Sequence, residues 1–183
     1  MLKAERLFTY DDYLTLPNDG KRYEIIDGEL IMTPAPETEH QSILGNLYRL
    51  LEGLARTQHL GKVLFAPVDI VLSMTDVVQP DLVFVSRSRQ QIITKKNIVS
   101  APDVVVEILS AGTEKTDRTT KKALYERYGV KEYWIVDPQK KSIELYQFQE
   151  GSYSPPRIFS SNEVLTSQQL PSLALPVHSV FEI

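Results

Sequence analysis

The chain has 183 residues, of which 42% are hydrophobic and 24% charged, with a net charge of −4, three histidines and no cysteine. That length suits one domain, residues 1–183, with a substantial core. The composition excludes disulfides, thiolate zinc sites and cysteine nucleophiles, and no run approaches the ~18–20 apolar residues of a membrane-spanning helix. The opening MLKAERLFTYDDYLTLP has no apolar stretch followed by a small-residue cleavage site. It predicts no secretory signal, and a cytoplasmic location is the expectation. Charge is distributed unevenly. Residues 1–40 carry four Lys/Arg against nine Asp/Glu, and residues 86–131 carry ten against five. A basic middle permits a polyanionic partner, but solvated helix and loop charges account for it equally simply.

In chain order, TYDDYLTLP (9–17) predicts a short helix stopped by Pro17. RYEIIDGELIMTP (22–34) predicts a hairpin turning at Asp27-Gly28, the dipeptide suited to two consecutive left-handed residues. Apolar residues at 43, 44, 47, 50, 51 and 54 predict a helix over 39–58. KVLFAPVDIVLS (62–73) predicts two strand pieces around Pro67, and VVQPDLVFVS (77–86) and PDVVVEILS (102–110) predict strands buried on both faces. Residues 87–100 are a polar connection with some helix. AGTEKTDRTTKKALYERYG (111–129) predicts a helix with a threonine N-cap and Gly129 as its stop. KEYWIVD and SIELYQF predict a second hairpin across Pro138, with Tyr133 and Trp134 as packing residues, and the Ser/Pro-rich tail predicts short edge pieces.

Two acids are out of place in apolar strands. Alternation puts Asp103, Val105, Glu107 and Leu109 on one face of 102–110 and Val104, Val106 and Ile108 on the other. Glu107 therefore needs a cation, a proton or a metal, because an isolated buried carboxylate is costly. Asp81 follows Pro80 at a strand start, where partial exposure is expected. If the two strands are neighbours, both carboxylates face one cavity and offer the hard oxygens that Mg²⁺ accepts. On the following helix Asp117, Lys121 and Tyr125 share a stripe, which lets Lys121 reach Glu107 or pair with Asp117 at the surface.

The ordered set YEIIDGEL…H, PDLVFV, VVEILS and D…K…Y…GVKEYWIVDP resembles the Uma2 family of restriction-endonuclease-like proteins, from about residue 9 to about 181. The resemblance implies an α/β restriction-endonuclease-like (PD-(D/E)xK) fold. In it a mixed central β-sheet is flanked by α-helices, with N-terminal and C-terminal β-hairpins. It implies catalytic roles for Asp81, Glu107 and Lys121, with Mg (or Mn) held by Asp81, Glu107 and the Ile108 main-chain carbonyl. The usual lysine two residues after the acid is absent, since Ile108 and Leu109 follow Glu107. Lys121 matches a lysine moved to the next helix. Glu24, His40 and Asp117 are secondary candidates; Glu29 flanks the same turn as Glu24, and Asp103 is a decoy for the second acid. Lys115, Arg118 and Lys122 are expected to contact nucleic-acid phosphates. The implied activity is endonucleolytic hydrolysis, with DNA as the expected substrate, by a homodimer. The rival readings are a binding or assembly module that keeps the fold without catalysis, and a purely structural buried ion network.

Overall fold

The computed structural model describes residues 6–17, 19–33 and 35–182; the first residues of the leader reading and Pro34 of the hairpin reading lie outside them. In chain order the elements are α1 (Tyr10–Tyr13), β1 (Arg22–Ile26), β2 (Glu29–Thr33), α2 (Thr38–Thr57), β3 (Gly61–Phe65), β4 (Ile70–Ser73), β5 (Asp76–Val78), β6 (Leu82–Ser86), a 3₁₀ helix (Arg87–Ile92), β7 (Ile98–Val99) and β8 (Val104–Ile108). There follow α3 (Glu114–Thr116), a π-helical turn (Asp117–Lys121), α4 (Lys122–Arg127), β9 (Glu132–Asp137), β10 (Ser142–Gln149), β11 (Ser152–Tyr153), β12 (Arg157–Ser160), β13 (Val164–Leu165), β14 (Leu175–Pro176) and a second 3₁₀ helix (Val177–Val180).

The strands form a large mixed sheet, β11-β10-β9-β8-β6-β3 with β12 beside β10, a small one, β2-β1-β5-β4-β7, and a separate β13-β14 pair. In the large sheet β6 and β8 run antiparallel, with Leu82 opposite Val106, and β8 and β9 run parallel. The alternation of β8 divides the core. Val104, Val106 and Ile108 join Ile43, Leu47 and Leu51 of α2 on one face, together with Trp134. Val105 and Leu109 join Leu124, Tyr125 and Tyr133 on the other. Each of these side chains is at most 7% exposed, so both faces of the sheet are covered, which is what a continuous apolar strand requires.

One expectation is corrected. Residues 77–86 are not a single strand: β5 belongs to the small sheet and β6 to the large one, and Gln79-Pro80-Asp81 is the crossing between them. Proline lacks the N–H that a continuous ladder needs, so the pairing changes partner there. A second feature, the parallel pairing of β7 with β4, is carried by two residues and has no periodicity to announce it.

The small sheet is fastened to α4 through Asp76, a buried carboxylate. It accepts hydrogen bonds from the Asp27 amide (2.8 Å), Ser73 Oγ (2.9 Å), Tyr128 OH (2.7 Å) and Arg127 (3.2 Å). The hairpin turn itself has Asp27 and Gly28 at φ 52° and 78°, as the dipeptide predicts. At the other end of the large sheet, buried Glu132 accepts from Trp134 Nε1 (3.0 Å), Ser167 Oγ (2.7 Å) and the amides of Gln168 (2.7 Å) and Gln169 (3.3 Å). It pins the C-terminal segment over the core. Glu132→Ala orphans those donors and is expected to cost about 3 kcal/mol in urea unfolding; a loss below about 0.5 kcal/mol would mean that the segment is held by packing alone.

Candidate active site

The partner switch at Gln79-Pro80-Asp81 puts Asp81 immediately before β6, one step beyond the Leu82–Val106 pair and hence across from Glu107 of β8. Asp81 is 7% exposed, more buried than its place at a strand start predicts. Its Oδ2 accepts the Ile108 amide at 2.8 Å and lies 3.0 Å from Nε2 of His40, in the first turn of α2. Facing a carboxylate, the imidazole donates from Nε2. The Arg22 guanidinium stands 4.0 Å from Asp81 Oδ1.

Glu107 is buried on the face opposite α2, and its Oε1 accepts from Lys121 Nζ (3.1 Å) and Tyr125 OH (2.8 Å). Lys121 also lies 3.0 Å from Glu24 of β1 and 3.7 Å from Asp117. It thus joins three carboxylates from three elements, and the surface pairing with Asp117 is replaced by a buried one. Glu24 is fixed in turn by the Gln79 amide at 2.7 Å. The π-helical turn is what aims both Asp117 and Lys121 inward: they are 1% and 4% exposed. Such wide turns inside helices recur at functional sites. Tyr133 OH donates to the Asp117 carbonyl (3.0 Å), tying the turn to the sheet.

The electrostatics follow from burial. Glu107 is pushed well above the ordinary carboxylate range by desolvation, which Lys121 opposes and Asp117, Asp81 and Glu24 reinforce. Desolvation raises Asp117 to about 6 against the pull of Lys121. For Lys121, burial disfavours the charge, but Glu107, Glu24 and Asp117 outweigh it and the ammonium is held more firmly than usual. Four carboxylates (Glu24, Asp81, Glu107, Asp117) face two fixed cations (Arg22, Lys121), so the fully ionised cluster is two charges too negative.

Arg22, His40, Asp81, Glu107, Asp117 and Lys121 line a cavity of ≈ 160 Å³ closed by Thr33, Pro36 and the 110–113 loop, and Glu24 joins the cluster through Lys121. Among the described residues four buried side-chain polar atoms have no hydrogen-bond partner, and three of them, His40 Nδ1, Gln79 Oε1 and Asp117 Oδ1, belong to residues lining this cavity. Unpaired polar atoms concentrated in one place are the mark of a site that takes a polar or charged guest. Among the described residues no three His, Cys, Asp or Glu side chains converge closely enough to chelate an ion unaided.

Asp81, Glu107, Lys121, His40, Asp117 and Ile108 therefore share one cavity, and Glu24 is joined to them through Lys121. Asp103 is not: it is buried at the other end of β8, taking the Ser86 amide and Arg89. Lys115, Arg118 and Lys122 do not line the cavity. Arg118 is engaged by Glu114, Asp137 and Glu144 at 2.8–3.2 Å, and Lys122 lies over the Tyr146 ring. Tyr125, on the predicted stripe, reaches Glu107. Gln79 and Arg22 were missed: Gln79 carries no local signal beyond the Gln-Pro-Asp run that precedes β6, and Arg22 none at all.

The family model for Uma2, described as "Putative restriction endonuclease", matches residues 10–178. Among solved structures, a "putative nuclease belonging to DUF820" from Anabaena variabilis ATCC 29413 superimposes with a TM-score of 0.80 at 21% identity, over 95% of this chain and 97% of that one. No curated protein matches the chain at a significant level. The architecture is that of the restriction-endonuclease-like fold.

The buried Asp117 sets a pH signature in the metal-free protein. Its folded carboxyl keeps a proton that the unfolded chain releases above about pH 4, so its contribution to stability is lost as pH rises through about 6. Asp117→Asn removes that loss. In EDTA, urea titrations from about pH 4 to pH 7 should shift in the variant's favour by up to about 3 kcal/mol relative to the wild type. Parallel curves for the two proteins would mean that Asp117 is ionised throughout.

Proposed function

Since this chain belongs to the Uma2 family, we propose that it is a metal-dependent endonuclease hydrolysing phosphodiester bonds in DNA at the cavity shared by Asp81, Glu107 and Lys121. The observation that carries the reading is the buried cluster itself, whose four carboxylates, once ionised, outnumber its fixed cations by two, with unpaired polar atoms among its lining residues.

The residues fit a divalent ion. Asp81, Glu107 and Asp117 present hard carboxylate oxygens, Asp117 Oδ1 has no hydrogen-bond partner, and the charge deficit equals that of Mg²⁺ or Mn²⁺. Mg²⁺ keeps several waters and asks the protein for one or two carboxylates. Asp81 and Glu107, with the Ile108 carbonyl beside them, would hold it. Bound there, the ion supplies Lewis-acid activation of the phosphodiester.

The chain's own residues do the rest. Lys121, whose charge its carboxylate neighbours favour, presents an ammonium to the reacting phosphate, where negative charge grows as water attacks phosphorus and the sugar oxygen leaves. Glu24 and Asp117 hold that ammonium in position. His40 and the Ile108 amide fix Asp81, and Tyr125 fixes Glu107. A second reading, a non-catalytic module, is favoured by one fact: Lys121 is already enclosed by three carboxylates.

Cleavage decides between them. Wild type with Mg²⁺ or Mn²⁺ should nick supercoiled plasmid or cut single-stranded DNA. Lys121→Ala should lower the rate by at least about 10²-fold, and Asp81→Ala should abolish both cutting and the thermal stabilisation that the metal confers. Undiminished cutting by the variants would put the chemistry elsewhere; a wild type inert on every nucleic acid would leave the binding module.

A further inference from the structure

A larger concavity, ≈ 430 Å³, lies far from this cluster, where the C-terminal end of α2, β3 and the 3₁₀ helix after β6 meet. Arg56, His59, Lys62 and Arg87 line it, together with Tyr48 and a single acid, Glu52. Glu52 lies 3.5 Å from Arg56, and among the described residues no carboxylate pairs with Lys62 or Arg87. The C-terminal end of α2 contributes about half a negative charge, too little to balance the remaining two cations. A lone lysine on β3 would be an ordinary guard of an edge strand. Here three different elements deliver cationic groups to one hollow, in a chain whose net charge is −4.

The walls are held firmly. The Arg87 amide donates to the Leu60 carbonyl at 2.7 Å, closing the 3₁₀ helix onto the α2–β3 connection. At Gly61 an added Cβ would come within 2.1 Å of the Val85 carbonyl, so β3 lies flush on β6 and Lys62 and Arg87 stay on adjacent strand ends. The Tyr48 ring stacks edge-on against Phe65, which is 47% exposed, and gives the hollow an aromatic margin. Cations with a neighbouring aromatic face are the equipment for a nucleic-acid backbone.

We infer that this hollow is a second, non-catalytic contact for the phosphate backbone of the nucleic acid that the active site cuts; it rests on the nuclease reading above. Helix α2 connects the two places: His40 in its first turn touches Asp81, and Arg56 in its last turn lines the hollow. The sixteen helical steps from His40 to Arg56 span about 24 Å at 1.5 Å per residue, equivalent to about seven base pairs of one strand along a duplex. Substrates shorter than that reach the active site alone.

The test is fluorescence anisotropy of a 20-base-pair duplex and a 20-nucleotide single strand in Ca²⁺ or EDTA, comparing wild type with the Lys62→Glu/Arg87→Glu double variant. Both side chains are exposed, and a matching thermal midpoint shows that the fold is kept. The double variant should bind about 10- to 100-fold more weakly near 0.1 M salt, and its log Kd–log[salt] slope should fall by about two. With Mg²⁺ it should cut long substrates poorly and four-nucleotide substrates as fast as wild type. Equal affinity and slope for the two proteins would overturn the inference and leave the nuclease reading standing. So would a double variant that loses self-association while keeping its DNA affinity. A wild type that cuts but whose affinity does not depend on substrate length would overturn it as well.

Discussion

One buried ammonium organises the centre of this molecule. Lys121 lies within 3.0–3.7 Å of Glu24, Glu107 and Asp117, which come from the small sheet, the large sheet and the helix that packs on both. None of the three acids tolerates that depth alone, because a buried unpaired charge costs several kcal/mol. The ion cluster is therefore both the seam between two sheets and the lining of the cavity. Burial that would be a defect in a simple core becomes here the means of holding acids and cation in fixed register.

The neighbouring interactions serve the same register. Asp81 is locked by the Ile108 amide and His40, Glu107 by Tyr125, Glu24 by the Gln79 amide, and the π-helical turn by Tyr133. Asp81, Glu107 and Glu24 thus each have a neutral partner that sets a rotamer and leaves other lone pairs for a guest. That arrangement is what a preorganised electrostatic site requires, since donors and charges then need no reorganisation as reaction proceeds.

Much of this was legible in the sequence because it depends on short-range rules. Strict alternation in 103–109 separated Glu107 from the apolar face, the Asp27-Gly28 dipeptide set the hairpin, and the 43–54 spacing set α2. Helical periodicity put Asp117, Lys121 and Tyr125 on one stripe, and that stripe is buried. What escaped depends on distant contacts. The resemblance names Glu24 as a candidate, but its pairing with Lys121 exists only once the fold brings β1 to the helix. Arg118 reads as a free surface cation until Asp137 and Glu144 arrive from β9 and β10. The π-helical turn replaces an α-helical one without changing the residue pattern, and the break of 77–86 into strands of two sheets was masked by an unbroken apolar run on either side of Pro80.

That break makes Gln79-Pro80-Asp81 a mechanical joint. The small sheet ends on one side of it and the large sheet begins on the other, while Gln79 grips Glu24 and Asp81 faces Glu107. Any rocking of one sheet against the other must pull these carboxylates apart and loosen the grip on Lys121. The site consequently has no stiffness of its own to lose separately: its alignment is as rigid as the junction between the two sheets, and whatever clamps that junction also tunes the chemistry.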